Sequence, residues 1–291
     1  MRALTRTGEW TSPPTPEGAV STYNGDTSGL LTIQKFDVTS NNNNEVWEDS
    51  LKGCSAVIYA ASASKKGGKA VDVDNKGVCR VAEAAVASSV SRYIVISSTS
   101  TTRPKSLGFV FTNLSIGGNI MGEKRNGEVG TMAVYQNQSQ SQSQSLSQSQ
   151  SQSLSQSQSQ SQSQSQLQSQ SQSLSSYTIL RPGGLEEPKR NKVLGPQAVE
   201  ISQGDVFAGI ISRADVAEIT VELALSDAPN VKNTAVELYY TNSVVEVEGK
   251  YKPLLEVAKI EGSPESKQLR LHGSTYSELF QGIRPGIDFA E

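Results

Sequence analysis

The sequence is short of most residue types that reactive centres are built from. It holds one histidine, His272, and two cysteines, Cys54 and Cys79, in 291 residues. A Ser-His-Asp hydrolase or a histidine-rich metal centre has nothing to draw on. Two thiols exclude a disulfide scaffold and a multi-cysteine metal site, and they fit a reducing, intracellular setting. Aromatic residues make up 6% and charged residues 19% of the chain. With 26 Lys+Arg against 29 Asp+Glu the net charge is -3, which argues against a nucleic-acid binder. No apolar run approaches the ~20 residues a bilayer span needs.

What is there falls into two kinds of polymer. From Gln136 to Ser175 the chain is almost pure Ser-Gln alternation, broken by Leu146, Leu154, Leu167, Leu174 and one Asn. The tract has no charge, no aromatic residue and almost nothing to bury. Ordering it costs about 1–2 kcal/mol of backbone entropy per residue, so it is expected to be disordered. Expansion of a repetitive coding sequence is its simplest origin; a Gln-rich self-association segment or a serine phosphorylation array are alternatives. As an insertion it is tolerable: stretching a ~4-residue loop to ~40 costs only about 2 kcal/mol.

On either side of the tract, strand and helix signals alternate. Leu30 to Val38 is β-rich, and Ser55 to Ser62 (SAVIYAAS) is a continuous apolar run ending in small residues. Val71 to Ser89 carries Val78, Val81, Ala82, Ala85 and Val86 on one helical stripe. Arg92 to Ser98 (RYIVISS) reads as a second buried strand, and Ile116 to Tyr135 as a helix containing Lys124. Beyond the tract, Tyr177 to Leu180 leads into Arg181-Pro182-Gly183-Gly184. Ser212-Arg213-Ala214-Asp215 then opens a helix, and Ala235 to Thr241 closes the series as a last strand. This order predicts an α/β fold, a doubly wound parallel sheet with right-handed crossovers. Ligands of such sheets bind outside the carboxyl ends of the strands, where Ala61–Ser64, Ser97–Ser100 and Pro182–Gly184 all fall. The expected organisation is a Rossmann-like domain over 1–135 and 176–242, the insertion at 136–175, and a C-terminal extension at 243–291. In that extension Tyr276, Leu279 and Phe280 suggest a short docking helix.

The order RALTRT, FDV, VIYAAS, VDNKGV, YIVISS, a lysine-bearing helix, YTILRPGG and SRADVAE resembles the atypical short-chain dehydrogenase/reductases, the NmrA-like NAD(P)-binding group with a Rossmann core. The resemblance covers about residues 1–241 outside the Ser-Gln tract. It implies a dinucleotide cofactor, NADP in preference to NAD, because Arg6 stands where a basic residue meets the adenosine 2′-phosphate. It places Asp37 at the adenine edge, and Ala60, Ala61 and Ser62 along the adenine ribose. Asp74 matches a helix-start Asp-x-x-Gly, expected to cap. Ser97 and Ser98 match the strand end that meets substrate, with Ser98 and Lys124 the catalytic candidates and Ser97 and Lys124 cofactor contacts. Pro182, Gly183 and Gly184 match the loop passing the nicotinamide, while Arg213 and Asp215 are expected to be structural.

Two departures matter. The group's pattern opens one unit earlier, with a strand and a glycine-rich turn that cradles the pyrophosphate. This sequence starts at the group's second strand, so it is expected to bind a dinucleotide weakly and to expose a sheet edge, as a truncated or decayed copy would. The position four before Lys124 is Ile120, where active members carry a proton-exchanging tyrosine. Three readings follow: an NADP-dependent oxidoreductase or epimerase, a non-catalytic module sensing NADP(H), or an incomplete product with impaired binding.

Overall fold

The structure, a computed structural model, describes residues 1–9, 31–40, 44–64, 67–156, 175–186, 192–246 and 270–285. Its centre is a six-stranded sheet in the order β12 (Arg270–Leu271), β7 (Val199–Ser202), β10 (Thr234–Tyr240), β5 (Ser176–Pro182), β4 (Arg92–Ile96), β3 (Ala56–Tyr59). Strands β3, β4, β5 and β10 are parallel neighbours. Each pair is joined through a helix, which is the right arrangement for a Rossmann-like α/β fold.

The strand sequences explain the two layers. In β4, Tyr93 and Val95 point to one face and Ile94 and Ile96 to the other, following the two-residue period. Tyr93 and Val95 join Tyr177, Ile179 and Ala235 under α2 (Val78–Ala87) and α4 (Ile120–Gln156). Ile94 and Ile96 join Leu180, Val236 and Leu238 under α5 (Arg213–Leu225) and α6 (Tyr276–Gln281). Both faces are thus covered, which is why these strands read as unbroken apolar runs. The C-terminal helix expected around Tyr276 does dock: Leu279 and Phe280 are buried in the second layer.

Three features differ from the sequence reading. The sheet continues past β10 through two antiparallel strands, β7 (Val199–Ser202) and β12 (Arg270–Leu271), so the strand over Ala235 is not the last. The helical stretch starting at Val71 opens as a seven-residue π-helix, Val71–Gly77, before α2. The Ser-Gln tract begins as helix: α4 runs on to Gln156, while residues 157–174 lie outside the described residues. Extending an existing helix adds one hydrogen bond per residue fixed, without a new nucleus. Ser139 and Ser141 donate back to the carbonyls of Tyr135 and Asn137.

The glycines inside α4 have a packing reason. A Cβ on Gly127 would overlap the carbonyl oxygen of Asp74, and one on Gly130 would overlap Cys79 Sγ. Their absence lets α4 lie directly on the π-helix and α2.

The first two strands stand apart. β1 (Arg2–Thr5) pairs in parallel with β2 (Thr32–Lys35) as a separate two-stranded sheet. Leu4 and Phe36 nevertheless pack into the same core as Val57 and Tyr59, with Phe36 edge-on to Trp47 of α1 (Asn44–Leu51). Among the described residues β3 is the terminal strand of the large sheet, and Ile58 is 44% exposed.

Candidate functional site

The carboxyl ends of β3, β4 and β5 come out side by side because the three strands are parallel and adjacent. The pairing continues past the strands: Ser97 N–H donates to Leu180 O at 2.7 Å and Thr99 N–H to Pro182 O at 3.0 Å. The segments 61–64, 97–100 and 182–184 therefore share one rim. The end of β1 reaches the same rim, since the Arg6 guanidinium lies against Gly67 in the loop after β3.

At one end of the rim, Arg6 is exposed and Asp37 half-buried. The Asp37 carboxylate accepts from Thr39 N–H at 2.9 Å and Thr39 Oγ1 at 2.8 Å. These bonds hold its pKa below the usual value, with the charges of Arg6 and Lys35 assisting. Asp37 closes an Asx turn here. Ala60, Ala61 and Ser62 follow β3 and are exposed.

At the middle of the rim, Asp74 is the hub. Its buried carboxylate accepts from Ser62 Oγ at 2.7 Å and Ala63 N–H at 2.9 Å, and pairs with Lys124 Nζ at 2.8 Å. The expectation that Asp74 caps a helix is corrected: it lies within the π-helix and ties the loop after β3 to α4. π-helical turns recur at functional sites. Lys124 is thereby engaged with a carboxylate.

At the far end, the network is fully buried. Arg181 forks onto Glu128 through Nε (3.1 Å) and a second nitrogen (2.8 Å), and reaches Glu237 at 3.2 Å. Ser97 Oγ donates to the Glu128 carboxylate at 2.5 Å, and Thr101 Oγ1 donates to the same carboxylate at 3.2 Å. Burial would raise the Glu128 pKa, but the charge and hydrogen bonds of Arg181, then Ser97 and Arg125, outweigh it and hold the group low. Burial, reinforced by the charge of Asp205, pushes Glu237 up to about 7 despite Arg181. Asp205 accepts from the backbone of Ser100 and Thr102, from Thr102 Oγ1 and from Arg103, clamping the loop after β4. Ser100 and Asp205 both adopt positive φ, 72° and 52°.

The remaining candidates divide. Ser98 is half-buried on the rim and Gly184 is exposed. Pro182 and Gly183 are buried, and a Cβ on Gly183 would overlap the Gly209 carbonyl oxygen. That close approach lets Gly184 start β6 (Gly184–Leu185) against β9 (Ile210–Ile211). Ile120 is 1% exposed and sits with Ala63, Ala70, Val73 and Met121 in a small apolar cluster. Arg213 donates to Glu186 O, and Asp215 accepts from Leu194 and Gly195 N–H and Tyr240 Oη, as structural residues do. His272 is half exposed, 3.4 Å from Glu200.

Sequence reasoning missed Glu128, Arg181 and Asp205. A signal existed for two of them. Arg181 is a charge inside an apolar strand run and needs a buried partner, and Glu128 lies one turn after Lys124 on a helix facing that strand. Beside the rim, a cleft of about 470 Å³ opens between Ala63, Ser64 and Gly68–Val71 on one side and Ile116–Gly118 on the other, with Lys69 and Glu123 among its walls.

Residues 25–129 match a family of NAD(P)H-binding domains. Among solved structures, the chain is similar to the oxidoreductase ylbE from Lactococcus lactis at 18% identity, over 78% of this chain and 79% of that one, with a TM-score of 0.48. It is likewise similar to a putative NAD-dependent epimerase/dehydratase from Bacillus halodurans, at 18% identity over 72% of each chain, TM-score 0.45. The Bordetella bronchiseptica enzyme WbmG, solved with NAD, is 13% identical over 89% of this chain and 76% of its own, TM-score 0.43. No curated protein matches the chain.

Proposed function

We propose, from the premise that residues 25–129 match NAD(P)H-binding domains and that the sheet is Rossmann-like, that the chain binds NADP(H) along this rim and reads it without turnover. One observation carries the reading: of the two catalytic candidates, Lys124 is paired with Asp74, and the helical position four before it, where a proton-exchanging phenol would stand, is the buried Ile120. A phenol at that position would have to exchange a proton with substrate in concert with hydride transfer, and no isoleucine does this. What stays open to a ligand is Arg6, the Ala60–Ser62 backbone, Ser98 and Gly184.

In this reading the exposed Arg6 guanidinium meets the 2′-phosphate by charge-assisted hydrogen bonds, and so favours NADP(H) over NAD(H). Small residues at 60–62 let the adenine ribose lie against the backbone. Asp74 holds that loop and Lys124 in place. The buried Glu128–Arg181–Glu237 group fixes the strand ends without touching ligand.

The test is a pair of titrations. NADPH is expected to bind saturably and more tightly than NADH. Arg6→Ala is expected to weaken NADPH to the NADH level while leaving NADH unchanged. Equal affinities for both cofactors in the parent protein would remove the NADP assignment, and no binding of either would remove the whole reading. A catalytic reading, as an NADP-dependent oxidoreductase or epimerase with Ser98 and Lys124 at the reacting centre, is favoured by the substrate-sized cleft beside the rim with Glu123 on its wall. Oxidation of bound NADPH by added carbonyl compounds, lost in Lys124→Ala, would support it in place of the first.

A further inference from the structure

Helix α3 (Leu107–Ile116, sequence LGFVFTNLSI) is apolar along most of its length, and none of its residues is fully buried. Its inner side, Phe109, Thr112 and Asn113, is half-buried against the domain, with Phe109 packed on the cluster of Ile120 and Met121. Its outer side is the apolar one. Leu107, Val110, Phe111 and Leu114 stand 88, 44, 72 and 79% exposed. Their spacing of i, i+3, i+4, i+7 puts them in one straight stripe. None of the ten residues is charged. The helix is well anchored: Ser106 Oγ accepts from Phe109 N–H at 3.2 Å, and Asn113 Oδ1 accepts from Met121 N–H at 2.9 Å.

We infer that this stripe is the contact between two copies of the chain, packed α3 against α3 about a two-fold axis. A stripe at this spacing is the pattern that helix-to-helix packing uses, with axes roughly 8–10 Å apart. Two-fold contacts set a surface against itself, so any charge on the helix would meet its own copy; α3 has none to repel. The stripe offers on the order of 500 Å² of apolar surface, as large as the largest patch on a typical monomer. Two such stripes facing each other would bury about 1,000 Å² in total, the lower limit of a specific interface. Gly108 sits against Ser100 Oγ, so the contact lies next to the loop after β4 and borders the rim. The dimer does not depend on cofactor binding, and its failure leaves that reading untouched.

Sedimentation velocity on the full chain tests this. The parent protein is expected to associate to a dimer at micromolar concentration, and Phe111→Glu and Leu114→Glu to raise the dimer dissociation constant by at least about 30-fold each. Because these side chains are exposed, both variants are expected to keep the parent circular dichroism and urea midpoint. Val129→Glu, an equally apolar exposed site on α4, is expected to leave the dimer intact. A parent protein that stays monomeric, or a dimer that both stripe variants leave unchanged, overturns the inference. Monomers that instead bind phosphatidylcholine vesicles through the stripe overturn it in favour of a lipid surface.

Discussion

Replacing Arg181 by methionine isolates the buried charge group that fixes the strand ends. The side chain is 1% exposed and makes a forked pair with Glu128 and a third bond to Glu237, both carboxylates being fully buried. Methionine fills most of the volume but leaves two carboxylates without their shared cation. Breaking a buried pair this way costs about 3–5 kcal/mol. In a domain of this size each kcal/mol moves the melting temperature by about 2–4 °C, so a fall on the order of 10 °C is expected. The loss is expected to grow with pH, since the orphaned carboxyls avoid the cost by taking up protons. Equilibrium urea unfolding at pH 6 and pH 8 measures both effects. Adding Glu128→Gln and Glu237→Gln to Arg181→Met neutralises the group, and should restore at least half of the loss at pH 8. A single variant that loses under about 1 kcal/mol at pH 8, or a triple variant no better than the single, would refute the claim that these charges depend on one another.

The same network fixes the direction of the pH response. Glu237 has a folded pKa raised to about 7, so its contribution is present at acid pH and is lost as pH rises from the unfolded value through 7; Glu237→Gln should flatten that decline in the urea midpoint. Glu128 is lowered, so its contribution is present above the unfolded carboxyl value and is lost on acidification; Glu128→Gln should remove that acid-side loss. Gly127→Ala should destabilise by roughly 1–3 kcal/mol although alanine is the better helix former, because the methyl meets the Asp74 carbonyl; chemical denaturation decides, and a stabilised variant would contradict the close packing. Asp74→Asn should cost about 1.5–3 kcal/mol and speed amide exchange at Ala63, whose N–H donates to that carboxylate.

How far the sequence reveals this molecule depends on which force shapes each part. Strands β3, β4, β5 and β10 are legible because burial on both faces demands unbroken apolar runs. The start of α5 is legible because Ser212 Oγ accepts from Asp215 N–H, a local bond with a local signature. The antiparallel β7 and β12 are not: four and two residues long, they gain their stability from β10 rather than from their own pattern. The π-helix is set by where Asp74 must reach, a tertiary demand on an ordinary helical sequence. Helix α3 hid for the opposite reason, because an apolar stripe suggests burial and this one faces outward. The order of motifs anticipates that Arg6, Asp37 and the 60–62 segment share one rim, while the engagement of Lys124 by Asp74 appears only when the loop and α4 are set side by side.

Hydrogen exchange with and without NADPH tests the central claim most directly. Slowed amide exchange is expected at 60–64, 97–100 and 183–184 together, with the NADPH absorbance unchanged throughout. Protection confined instead to the hollow of about 340 Å³ between α5 and α6, at residues such as Leu225, Asn230 and Phe280, would contradict it.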